Sequence, residues 1–119
     1  MNGTRTISIP IHGAIEVFLA PVIMAAPFVL GLGEIATAVA IVIGAVLLGS
    51  ALSLVGDRRT VPLSAHAGFD YALAYIALIG GVVAGLTGDV PGLIFLAGVG
   101  AAQALLTATT RFSLAPRSA

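Results

Sequence analysis

IATAVAIVIGAVLLGSALSLV, running from Ile35 to Val55, decides the fold. The run carries no charge and has the length that a span needs, about 20 apolar residues. Lipid offers the backbone no hydrogen bonds, so such a run must satisfy its own N–H and C=O groups as a helix. A membrane strand would alternate lipid-facing and lumen-facing residues. Ile41-Val42-Ile43 and Ala45-Val46-Leu47-Leu48 are apolar throughout, which rules out that alternation.

Working outward, three more stretches have the same character: Ile11 to Leu32, Ala67 to Leu86 and Val90 to Thr109. The connections differ in kind. Gly31-Leu32-Gly33-Glu34 and Thr87-Gly88-Asp89 read as tight turns, with Gly to end one helix and an acid to start the next near its positive end. Pro91 falls in the first turn of the fourth helix, where its missing N–H costs nothing. The middle connection, Gly56 to Ala65, is longer and carries Asp57, Arg58, Arg59 and Pro62. The chain therefore predicts an all-α membrane protein: four transmembrane helices, paired as two hairpins in a four-helix bundle. Pro21 and Pro27 are expected to kink the first helix.

Composition agrees. Hydrophobic residues make up 59% of the chain and charged residues 8%, against about 45–50% and about 25% for a soluble domain. Such a chain cannot cover a globule with polar surface. It has no Cys, so it has no disulfide framework and no thiolate ligand or nucleophile. A net charge of zero gives no electrostatic case for nucleic acid. Met1 to Pro10 is mixed polar and β-branched, so no cleavable signal peptide is expected. Arg5, Arg58, Arg59, Arg111 and Arg117 all fall on the side holding both termini and the middle linker, whereas the tight turns carry only Glu34 and Asp89. The positive-inside rule then predicts that both termini and the middle linker are cytoplasmic.

The chain also repeats itself. Arg5-Thr6-Ile7 leads to His12 and, four residues on, Glu16; Arg59-Thr60-Val61 leads to His66 and, four on, Asp70. At a shift of 54 positions Ala20 meets Ala74, Val29 meets Val83, Gly31-Leu32 meets Gly85-Leu86, Gly44 meets Gly98 and Leu52 meets Leu106. The expectation is one membrane domain over residues 1–119, built from two parallel repeats of about 5–58 and 59–112. Arg111-Phe112-Ser113-Leu114 reads as the start of a third unit that is not completed. Gly81-x-x-x-Gly85 and Gly98-x-x-x-Ala102 have the spacing that lets helix backbones approach closely.

Arg-Thr-Ile-x-Ile-x-x-His12-x-x-x-Glu16, followed by Ala26-Pro27-Phe28-Val29-Leu30-Gly31, resembles the SPW-repeat family of small bacterial membrane proteins. Ala26-Pro27-Phe28 stands where that family has Ser-Pro-Trp, and Glu16 where it has Asp. The second unit keeps His66 and Asp70 but has Gly80-Gly81-Val82 in place of the Pro and the aromatic. The resemblance implies the fold and the membrane location and carries no activity with it.

Spacing by four puts His12 and Glu16 on one helix face, and His66 and Asp70 on another. With Arg59 and Arg111 (and Arg58) within expected reach of the acids, these residues form the candidate polar cluster. The first reading is structural: a salt-bridge and hydrogen-bond cluster that fixes hairpin packing. A metal site with His12, Glu16, His66 and Asp70 as ligands is a second, opposed by arginines that would compete for the carboxylates. A proton or ion relay is a third, short of polar residues along a path; Ser50, Ser53 and Gln103 are its main candidates. Gln103, Thr107, Thr109 and Thr110 are expected to bond between helices or back to the helix backbone. Phe69, Tyr71 and Tyr75 are expected to face lipid or the interface. No catalytic residue, enzyme activity or cofactor is expected, since no nucleotide-binding or hydrolase motif is present.

The function this predicts is a structural or accessory membrane component, with lipid as its solvent and self-association or a larger complex as its partnership. The alternative is a small oligomeric transporter or channel that uses the His/acid pairs at the cytoplasmic side.

Overall fold

Prolines and acids mark the helix starts. Pro10 and Pro91 lie in the first turns of their helices and Pro62 caps another, positions where no intrahelical N–H is needed. A computed structural model describes residues 5–55 and 62–112. It contains α1 (Ile9–Leu30), α2 (Glu34–Val55), α3 (Leu63–Leu86) and α4 (Val90–Ala108). Each is long and apolar enough to cross a membrane. Lengths of 19 to 24 residues give about 29–36 Å at the helical rise, against a hydrocarbon core of about 30 Å.

Two helices, α1 at both ends and α3 at its start, differ from the sequence reading. α1 starts at Ile9 and ends at Leu30, because Pro10 is tolerated in the first turn and Gly31 turns left-handed (φ 66°). The N–H groups of Gly31 and Leu32 both reach Pro27 O, which closes the helix end. α3 starts at Leu63, before the expected Ala67. The polar Ser64 and His66 hid its first turn. Pro21 and Pro27 both lie within the continuous α1.

α1 packs along α2 and α3 along α4, and α2 joins the two hairpins by packing on α3. No Cα of α1 comes within 8 Å of a Cα of α3. The apolar core is rich in alanine: Ala20, Ala36, Ala40, Ala77 and Ala84 surround Ile43, Leu47, Leu73 and Leu96. Close approach is concentrated at glycines. A Cβ on Gly44 would lie 2.9 Å from Ala20 O, and one on Gly100 would lie 2.8 Å from Ala74 O. Gly81 and Gly85 press against Leu93 and Leu96 of α4, as their spacing predicted. Gly98 does not: its Cβ position is open.

The burial pattern explains this difference. Ala36, Ala40, Gly44, Leu47, Ala51 and Leu54 are buried along α2, and Gly92, Leu96, Gly100, Gln103, Thr107 and Thr110 are buried 56 positions on. The first helices of the two hairpins keep the shift of 54, with His12 over His66 and Glu16 over Asp70. α3 has 24 residues to the 22 of α1, so the second hairpin gains two residues before its turn. The expected pairings of Gly31 with Gly85, Gly44 with Gly98 and Leu52 with Leu106 are therefore replaced. Gly85 lies inside α3, and the left-handed turn glycine is Gly88 (φ 92°). Gly100 takes the place opposite α3 that Gly44 takes opposite α1.

The two tight turns are tied to each other. Asp89 accepts from Gly92 N–H as the N-cap of α4, and from Gly33 N–H in the other turn, both at 2.9 Å. At the opposite end Ile7 lies beside the residues that follow α4. Its N–H donates to Thr109 O (3.0 Å) and its carbonyl accepts from Arg111 N–H (2.8 Å).

Candidate functional site

His12 is the fourth residue of α1 and His66 the fourth of α3. Each acid follows one turn later, so both pairs lie about 5–12 Å into their helices, at the same end of the bundle. α1 and α3 are too far apart for their backbones to touch, and the four side chains fill the space between them. Each has 0% of its surface exposed.

They form one closed figure. His12 Nε2 lies 2.8 Å from Asp70 Oδ2 and 3.1 Å from Glu16 Oε1. His66 Nε2 lies 3.1 Å from both Glu16 Oε1 and Asp70 Oδ2. Nitrogen and oxygen therefore alternate around a four-membered ring. Two of its sides run within a helix, and the other two cross from α1 to α3. An imidazole lone pair and a carboxylate oxygen repel each other, so the ring is held by hydrogens on its nitrogens or carboxyl oxygens, or by a metal ion among the four atoms.

Residues of α4 and its exit hold the ring from outside. Gln103 Nε2 donates to Glu16 Oε2 at 2.6 Å. Thr110 Oγ1 donates to Leu106 O (2.6 Å), which leaves its lone pairs to accept from His12 Nδ1–H at 2.7 Å. That bond fixes the His12 ring with Nδ1 outward and Nε2 inward. The Phe112 ring covers both imidazoles, with centroids 5.2 Å from His12 and 6.2 Å from His66. His66 Nδ1 and Asp70 Oδ1 are buried with no hydrogen-bond partner among the described residues.

Of the expected cluster, the structure brings together His12, Glu16, His66 and Asp70. Arg59, Arg58 and the Ser113-Leu114 continuation lie outside the described residues. Arg111 does not join the ring: among the described residues it makes no ion pair, and its backbone N–H is used by Ile7. The carboxylates instead take imidazoles and an amide. The polar residues of α4 and its exit divide: Gln103 bonds to Glu16, Thr110 bonds both to His12 and back to Leu106 O, and Thr109 bonds back to Leu105 O and Leu106 O, whereas Thr107 Oγ1, against expectation, has no partner among the described residues. Ser50 and Ser53 also bond to their own helix, through Leu47 O and Ser50 O. Phe69, Tyr71 and Tyr75 point outward.

Phe112 is the participant that sequence reading missed, being placed in a supposed third repeat. Thr110 and Gln103 were legible as hydrogen-bonding residues but not as partners of the ring. A signal existed. In the corrected frame of α4, Gln103, Thr107 and Thr110 stand where α2 has Leu47, Ala51 and Leu54. Three polar side chains on an inward helix face imply something polar to meet.

No protein-family profile, curated protein or solved structure matches the chain.

Proposed function

We propose that this chain is a structural or accessory component of a bacterial inner membrane, with both termini cytoplasmic, built from two copies of one helical hairpin as in the SPW-repeat proteins it resembles. The observation that carries the reading is the closed ring of His12, Glu16, His66 and Asp70. Each hairpin supplies one imidazole and one carboxylate, and every inward atom meets one partner of its own hairpin and one of the other. Such a joint gives the two hairpins one register. A buried ionic cluster is a poor source of net stability but a good source of specificity. The polar residues gather at one end of the bundle, while the core beyond them is alanine, leucine and isoleucine. A transport path would need polar groups through the full thickness.

The test is native mass spectrometry of the chain extracted with its own lipids. The expected result is a defined oligomer or complex, the same for wild type and for His12→Ala/His66→Ala wherever the variant remains folded. A monomer with no associated protein would sink the accessory role. Loss of a bound small molecule in the variant would turn the ring into a binding site for a substrate.

A further inference from the structure

We propose that His12 Nε2, Glu16 Oε1, His66 Nε2 and Asp70 Oδ2 are the four ligands of a divalent transition-metal ion that bolts α1 to α3. The proposal rests on the reading of the ring as the joint between hairpins and adds its occupant.

Geometry comes first. One ligand atom from each of the four residues lies within 4.8 Å of all the others. At metal–ligand distances of about 2.0–2.1 Å, neighbouring ligand atoms are about 2.9 Å apart in a square and about 3.4 Å apart in a tetrahedron. The four N···O sides measure 2.8 to 3.1 Å. The sides match those of a square, whose diagonal of about 4.1 Å is shorter than the 4.8 Å within which all four atoms lie; either a tetragonal or a tetrahedral ion is reached by shifts of a few tenths of an ångström.

Chemistry narrows the ion. Two imidazoles and two carboxylates, without a thiolate, suit zinc and its first-row neighbours. Calcium and magnesium want six or more oxygens. With neutral imidazoles the ligand set carries two negative charges, which a divalent ion cancels. This matters in a site with no exposed surface, where an unbalanced charge is costly.

For the α1 pair, though not for His66 Nδ1 or Asp70 Oδ1 among the described residues, the outer contacts have the form that metal sites use. A metal-bound imidazole places its other ring N–H on a fixed acceptor. His12 Nδ1 does so on Thr110 Oγ1, itself buried. The second oxygen of a ligating carboxylate is held by a donor, as Gln103 holds Glu16 Oε2. Asp70 Oδ1 has no partner among the described residues. The objection from competing arginines does not apply to Arg111, which leaves both carboxylates to the histidines. Helical bundles elsewhere build metal sites in this manner, from inward carboxylates and imidazoles on facing helices.

The experiment uses the full, tag-free chain in detergent, stripped with a chelator and titrated with Co2+. The expected result is a set of visible d–d bands that saturates at one ion per chain and is displaced by Zn2+ but not by Mg2+. His66→Gln and Asp70→Asn should each abolish the bands. Thr110→Val should weaken the ion's affinity by about 10–100-fold. Circular dichroism checks that each variant stays helical, and the wild-type titration stands even if a variant does not fold. A stripped, helical wild type that shows no Co2+ bands and no rise in Tm with Zn2+ overturns the metal site, as would unchanged bands in a folded His66→Gln. The joint is judged separately, by whether His66→Gln lowers the Tm of metal-free protein. An unchanged Tm there removes the joint, whatever the cobalt shows.

Discussion

His12 shows how one side chain is placed by four others. Thr110 takes Nδ1, Phe112 packs on the ring, and Glu16 and Asp70 face Nε2. Removing one member of such a cluster strands the rest. Asp70→Ala leaves His12 and His66 sharing a single carboxylate, and the expected loss is about 3–5 kcal/mol, as for other broken buried ion pairs. Replacing all four residues with leucine or methionine removes every charge of the ring and strands only the Gln103 amide. That variant should be close to wild type in stability while losing every trace of cobalt binding. Reversible unfolding in mixed detergent, followed by circular dichroism, measures both. A quadruple variant less stable than Asp70→Ala would mean that the ring contributes net stability and not only register.

At the scale of elements, the sequence was most legible where physics leaves least choice. Uncharged apolar runs had to be helices, and Gly-acid turns had to separate them. α2, α4 and both hairpin turns were readable for that reason. The start of α3 was not, because hydropathy undervalues a first turn that holds Ser64 and His66. The glycine frame in the second hairpin was not either. Similar residues align at a shift of 54 as well as at 56, and only burial separates the two. A pair of substitutions tests the structural frame. Gly100→Ala puts a methyl group 2.8 Å from Ala74 O and should cost about 1–3 kcal/mol as overpacking. Gly98→Ala meets open space and should be neutral or slightly stabilising, since Ala is the better helix former. The reverse order would restore the shift of 54. The turns give a second check. Asp89 caps α4 and also holds Gly33, so Asp89→Ala should lose about 0.5–2 kcal/mol, in the upper part of the range for an N-cap.

At the scale of the whole molecule, the polar residues are distributed unequally between the two ends. One end holds the ring, its α4 partners and the Ile7 pairing; the other holds two short turns joined by Asp89. Phe18, Phe28, Leu86, Ile94 and Leu105 stand more than half exposed on the outer surface, as lipid contact requires. The absence of cysteine makes the orientation directly measurable. With Arg5→Cys or Thr87→Cys as the sole thiol, an impermeant maleimide added to intact cells should label Cys only at 87. Labelling only at position 5 would invert the topology and place the ring near the outer face. The transporter alternative is separated by flux. Vesicles reconstituted with the full chain should dissipate an imposed proton or potassium gradient no faster than empty vesicles. The reason is packing: beyond the ring, Ala20, Leu47, Leu73 and Ala77 close the interior with side chains that bind neither proton nor ion. A leak that disappears in His12→Ala/His66→Ala would show that the ring opens to a path, and the chain would then have to assemble that path between copies, since four helices packed this closely leave no room for one within a single bundle.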